Sequence, residues 1–258
     1  MNATEIVAYI GAAAWVPQII TWIYKKFVIP KITIIPNKEV QIGYTTFGPI
    51  LNLTLAFNCE LKDAIIDKID INIIHEDGST HILTWQGMEE SLGELSNHLG
   101  QSVVQKKYQP AIALKVSVLS LIEKFVLFQE KKFHDSQLPI FNKLYSHFLY
   151  LKETNDDFVD KSISSKEFHD LIDYYRTQFW WKCGTYTAEF KLSSPKRIKF
   201  DTCLFTFKLE QHHIDSLQKN IDNIRLNYEE TIKTNIPDYE SQQINWSWQN
   251  VSFTKSST

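Results

Sequence analysis

Ile6 to Tyr24, IVAYIGAAAWVPQIITWIY, holds no charged residue, and Lys25 and Lys26 follow it at once. As a helix rising ~1.5 Å per residue, it reaches about 28 Å, close to the ~30 Å hydrocarbon core of a bilayer. No other segment has a comparable apolar run, so the chain divides into residues 1–29, an N-terminal membrane-anchor helix, and residues 30–258, a folded body. Asn2 with Glu5 supplies a cap for the helix. Trp15 lies in the run, and Trp22 and Tyr24 sit beside Lys25 and Lys26, where amphipathic rings favour the headgroup layer. The lysines on one side only predict a single-pass protein at the cell membrane with its C-terminal body in the cytoplasm.

Pro17, Gln18, Gly11 and the alanines weaken this expectation, because each offsets part of what the isoleucines and valines contribute. The alternatives are a helix buried in the body and one lying in the membrane interface. A cleaved signal peptide is disfavoured, since no basic segment precedes the apolar run.

The body alternates with period two. Lys31–Ile35, Val40–Thr45 and Pro49–Glu60 read as strands, and Asp77-Gly78 turns the strand through Ile69, Ile71 and Ile73 into Thr80–Trp85. A short helix is predicted over Met88–Leu99 and a strand over Ala111–Leu121. From about 133 to 183 the period becomes helical, with Ser164 and Glu167 read as a capping box and Gly184 as a helix end. Strands resume at Thr185–Leu192 and Arg197–Leu209, a C-terminal helix spans about 213–233, and Ile244–Phe253 reads as a last strand.

Strands joined by short turns, interrupted by a helical insertion, predict a mainly β (α+β) fold, an antiparallel β-sandwich. Gly184-Thr185-Tyr186-Thr187-Ala188 resembles the tyrosine-corner strand of immunoglobulin-like domains, with Ala188 where antibody domains carry a cysteine. The resemblance implies an immunoglobulin-like sandwich in which Tyr186 is buried and bonded to backbone. It implies nothing about function.

A net charge of −3 without a Lys/Arg cluster argues against nucleic acid as a partner. Cys59, Cys183 and Cys203 are too widely spaced for a metal knuckle or a disulfide framework and read as free thiols. His75, Glu76, Asp77 and His81 flank one turn and are the residues a metal-dependent hydrolase would use, although a polar hairpin tip has the same composition. His134-Asp135 and His169-Asp170, with Asp173, resemble the pairs of HD-type phosphohydrolases, but those work on an all-helical scaffold. His212-His213 reads as a solvated helix start. No phosphate loop, nucleophile elbow or H-E-x-x-H occurs, and no catalytic residue, metal or cofactor is assigned.

Trp180-Trp181, read as a helix end, and Trp246 with Trp248, read on the last strand, are the candidate partner-binding residues, set against burial in the core. The leading expectation is a membrane-anchored interaction module without catalysis, contacting membrane lipid and an unidentified protein or a second copy of itself. The alternative is a membrane-acting effector of the bacterial defence or toxin kind, oligomerising through its N-terminal helix.

Overall fold

The computed structural model describes residues 3–96 and 102–256; the side chains of residues 3–12, 25, 91–96 and 102–106 lie outside that description. Helix α1 (Ala3–Phe27) precedes β1 (Lys31–Pro36), β2 (Glu39–Thr45), β3 (Gly48–Glu60), β4 (Ala64–Ile66) and β5 (Lys68–His75). Then come β6 (Thr80–Ser96), β7 (Ser102–Pro110), β8 (Leu114–Val116) and β9 (Ile122–Gln129). The helical insertion is α2 (Lys131–Thr154), α3 (Phe158–Ile163) and α4 (Lys166–Thr177). It leads into β10 (Gly184–Ser193), β11 (Lys199–Phe200), β12 (Leu204–Leu209), α5 (Gln211–Lys233), β13 (Gln249–Ser252) and β14 (Thr254–Lys255).

Among the described residues the architecture is mixed α/β around one large curled sheet of 12 strands, with β4 and β8 as a separate pair. Along the sheet the order is β1-β3-β9-β6-β5-β10-β12-β14. The thirteen-residue β3 pairs along one edge with β9 and along the other with β1 and β2 in turn. Pro36 and Asn37 break β1 from β2, because proline cannot donate to the ladder. Residues 249–255 then pair with β2 through β13 and with β12 through β14, joining the two ends of the curled sheet. Between them the Phe253 amide donates to the Lys38 carbonyl at 2.7 Å.

This curl corrects the expected sandwich. Alternation says that one face of a strand is covered, and a single sheet bent round on itself covers that face as fully as a second sheet would. Ile42, Leu53, Phe57, Ile71, Phe128, Tyr186 and Phe190 all lie fully or nearly fully buried in the resulting core. α5 packs on β2 and β13, α3 and α4 pack on α5, and α2 packs on α3, α4 and β6, so that Phe168, Leu171, Leu217 and Ile224 join the same core. Tyr44 of β2 donates to the Tyr175 carbonyl of α4 at 2.5 Å, and the Tyr175 hydroxyl donates to the Thr46 carbonyl at 2.7 Å. Gln137 of α2 reaches the hydroxyl of Tyr228 on α5 at 3.2 Å. Burial pushes the hydroxyls of Tyr44, Tyr175 and Tyr228 above the ordinary tyrosine range, so all three stay neutral donors.

Several local expectations are also corrected. Residues 88–96 continue β6 as a strand, and residues 97–99 lie outside the described residues. Only Leu114–Val116 of the predicted 111–121 strand is extended in a ladder, and Ile112 and Leu119 are exposed. The cap of α4 is Ser165, whose hydroxyl accepts from the Phe168 amide, and Gly184 begins β10 with φ of 140°.

The membrane expectation is corrected too. Among the described residues no helix is long and apolar enough to cross a membrane. Pro17, Gln18 and Thr21 occupy the middle of α1, Lys26 stands at its end, and Trp15, Trp22 and Tyr24 contribute amphipathic rings rather than aliphatic surface. The single-pass topology and the orientation read from it therefore lose their basis. The Lys25 side chain and the Asn2–Glu5 cap lie outside the description.

Candidate functional site

In α1 the backbone accommodates Pro17, and the Thr21 hydroxyl donates to the Pro17 carbonyl at 2.7 Å. Proline removes one intrahelical donor, and the threonine supplies a bond to a nearby carbonyl. Every residue from Ala13 to Phe27 whose side chain is described is exposed. Ile20 is 60% exposed and Phe27 72%. Ala13, Val16, Ile20, Ile23 and Phe27 follow one another at alternating spacings of three and four, so they form a single seam along the helix. Gln18 lies opposite that seam at 100° per residue. The Lys26 ammonium sits 5.1 Å from the Trp22 ring centroid, a cation–π contact on the flank.

The four candidate tryptophans are placed otherwise than as an exposed surface. Trp180 and Trp181 lie in the link from α4 to β10, and Trp246 and Trp248 precede β13. Trp181 is 2% exposed and its indole N–H donates to the Gly43 carbonyl at 3.2 Å. The Trp248 ring packs against Gly43 so closely that a Cβ there would stand 2.2 Å from it. Gly43 thus brings Trp181 and Trp248 together, while Trp180 and Trp246 are half-buried. None of the four is exposed.

The histidines of the β5–β6 hairpin separate. His75 is buried, with Nδ1 3.0 Å from Asp77 Oδ1 and Nε2 3.2 Å from the Cys183 carbonyl. Glu76 accepts from the Thr185 amide at 2.8 Å, and Asp77 accepts from the Ser79 amide at 2.9 Å and from Lys182 at 2.8 Å. The Lys182 bond, with those of Ser79 and His75, holds the Asp77 carboxyl well below the usual carboxylate range. These groups brace the hairpin against the start of β10. His81 faces elsewhere: its ring stacks on Trp180 with centroids 3.8 Å apart, and Nδ1 lies 3.3 Å from Glu130 Oε1.

Glu130 accepts from the Trp180 indole at 2.9 Å through its other oxygen. His81, Trp180 and Glu130 line a cleft of about 390 Å³ beside the first turn of α2. Both Glu130 oxygens hold other side chains, so its role is to fix the stack. Nothing in the sequence singled out Glu130, which lies 49 residues from His81 and 50 from Trp180. No group of three or more His, Cys, Asp or Glu able to hold a metal occurs among the described residues. His134 and Asp135 lie exposed on α2, and His169 and Asp170 on α4. His212 and His213 open α5, where His213 Nδ1 accepts from the Glu210 amide at 3.0 Å. Cys59, Cys183 and Cys203 are free thiols.

No protein-family model, curated protein or solved structure matches the chain.

Proposed function

We propose that the protein is an interaction module that assembles with further copies of itself through α1. The observation that carries this reading is the apolar seam Ala13, Val16, Ile20, Ile23 and Phe27 on a helix exposed at every described side chain from Ala13 to Phe27. A 3.5-residue apolar repeat is the pattern by which identical helices bury one another, and Gln18 stands where such a pair meets water. Burial contributes ~1.5–3 kcal/mol per large side chain. Four such residues on each of two helices contribute roughly 12–24 kcal/mol, against roughly 4–15 kcal/mol for association. Ala13 lets the two backbones approach where the seam is narrow. No catalytic step is part of this reading.

Sedimentation velocity on the full chain tests it. The parent sediments as a dimer or larger assembly, Ile20→Glu as a monomer, and Gln18→Glu as the parent does. A parent that is monomeric at micromolar concentration, or an Ile20→Glu variant that assembles as well as the parent, overturns the proposal.

A further inference from the structure

At the root of α1 the fold gathers positive charge that a chain of net charge −3 does not carry on average. Three backbone pairings make the place. The Lys199 amide donates to the Pro30 carbonyl at 2.8 Å, which sets residues 194–198 beside the end of α1. The β4–β8 pair puts Lys115 opposite Ile65. The Asp67 amide donates to the Ser193 carbonyl at 3.1 Å and closes the third side. The cleft between them measures about 430 Å³. Lys26, Lys62, Lys115, Lys196 and Arg197 line it, against one carboxylate, Asp63.

Asp63 is already engaged. Its carboxylate accepts from the Val118 amide at 3.0 Å and the Ser117 hydroxyl at 3.2 Å, and lies 3.3 Å from Lys115. The Val118 bond, ahead of those from Lys115 and Ser117, lowers its pKa, so it stays ionised. Its single charge is spent on Lys115 and that loop, and the lining as a whole remains strongly positive. Phe27, Ile29, Ile65 and Ile198 supply an apolar wall on the same cleft. A concave site of this size with clustered cations and an apolar side suits a small anion joined to an apolar group.

We infer that this cleft binds a phosphate-bearing ligand, its phosphate on Arg197 and the lysines and its apolar part against Ile65 and Ile198. Arg197 presents the planar fork that engages two phosphate oxygens at once. The same chemistry belongs to a free organophosphate and to a phospholipid headgroup, and the test separates them.

Isothermal titration calorimetry of the full chain uses pyrophosphate and dihexanoyl phosphatidic acid. Cosedimentation uses phosphatidylcholine vesicles with and without phosphatidylglycerol. Saturable binding of the free phosphates assigns a free organophosphate, and binding confined to the phosphatidylglycerol vesicles assigns a headgroup. In either case Arg197→Glu weakens binding about tenfold or more, and added salt weakens it further. Where circular dichroism shows that variant misfolded, Lys196→Gln, at an exposed position, takes its place with a smaller loss in the same direction. No saturable binding of any probe, equal binding to both vesicle types without binding of the free phosphates, or equal binding by parent and folded variants overturns the inference.

Discussion

The Tyr186 hydroxyl donates to the Lys182 carbonyl at 3.0 Å and accepts from the Lys182 amide at 2.6 Å. One buried side chain thereby satisfies both backbone groups of a residue in the link between α4 and β10. The ring stacks on Phe207 with centroids 5.0 Å apart and meets Trp181 edge-on, so the link is tied to the sheet and the core together. Burial pushes the hydroxyl up to about 12, which keeps it a donor at any ordinary pH.

Tyr186→Phe removes both bonds and leaves the Lys182 backbone groups to find water. The expected cost is about 1–2 kcal/mol, one to two net hydrogen bonds. Urea unfolding should show a lower midpoint with an unchanged slope, since the surface exposed on unfolding is the same. An unchanged midpoint would mean that the link is held by packing alone.

The burial and backbone bonding of Tyr186 were legible because the motif is local: a glycine, an aromatic and alternation within five residues. The strands β1 to β3 and the β5–β6 hairpin were legible for the same reason, with one covered face and Gly78 taking a φ of 86° in the turn. β9 was hidden because Phe125, Val126, Leu127 and Phe128 are consecutive. Val126 and Phe128 are buried while Phe125 and Leu127 are partly covered, which erases the period. β6 was hidden past Trp85 by a register shift before Gly87, which turns the alternation over midway. Closure through residues 249–255 rests on two short pairings with distant partners, and the cleft at the root of α1 on loops far apart in sequence. Neither has a local signature. The length of α1 was legible, but length and lack of charge did not say what covers it.

Gly43→Ala tests the contact between β2 and the segment before β13. A methyl at Gly43 would stand within 2.9 Å of three atoms of the Trp248 ring, so the indole must move. Trp181, bonded to the same residue's carbonyl, resists a shift of the strand. Overpacking of this kind costs about 1–3 kcal/mol. Tryptophan fluorescence should shift to longer wavelength as Trp248 gains exposure, with a lower melting temperature. Parent-like fluorescence and stability together would show that the ring has room.

The end of α5 is held by a carboxylate. Glu230, 4% exposed, accepts from the Gln242 amide at 2.9 Å, from the Tyr239 hydroxyl at 2.9 Å on each oxygen, and from Lys233 at 3.1 Å. The Gln242 bond, followed by those of Tyr239 and Lys233, holds its pKa below the ordinary 4.5. A lowered folded-state pKa means stability that is full above about that ordinary value and is lost as pH falls through the folded value. Glu230→Gln should therefore melt below the parent at neutral pH, and the gap should narrow as pH falls below 4.5. A gap that stays constant down to pH of about 2 would show that the charge contributes nothing.

Removal of residues 1–27 separates the helix from the body. From Ala13 to Phe27 the described side chains are exposed, whereas Pro30 is buried and Lys31 opens the first strand. The main chain leaves α1 through the Val28 amide, which donates back to Tyr24 within the helix. Cutting after Phe27 thus removes no strand pairing and no described residue of the buried core. The shortened chain should unfold cooperatively at a urea midpoint within the equivalent of about 0.5 kcal/mol of an assembly-free Ile20→Glu parent, as expected for surface changes. It should also sediment as a monomer. A shortened chain that fails to fold would make α1 part of the core and remove the basis for assembly through it. One that folds and still assembles would move the interface onto the body.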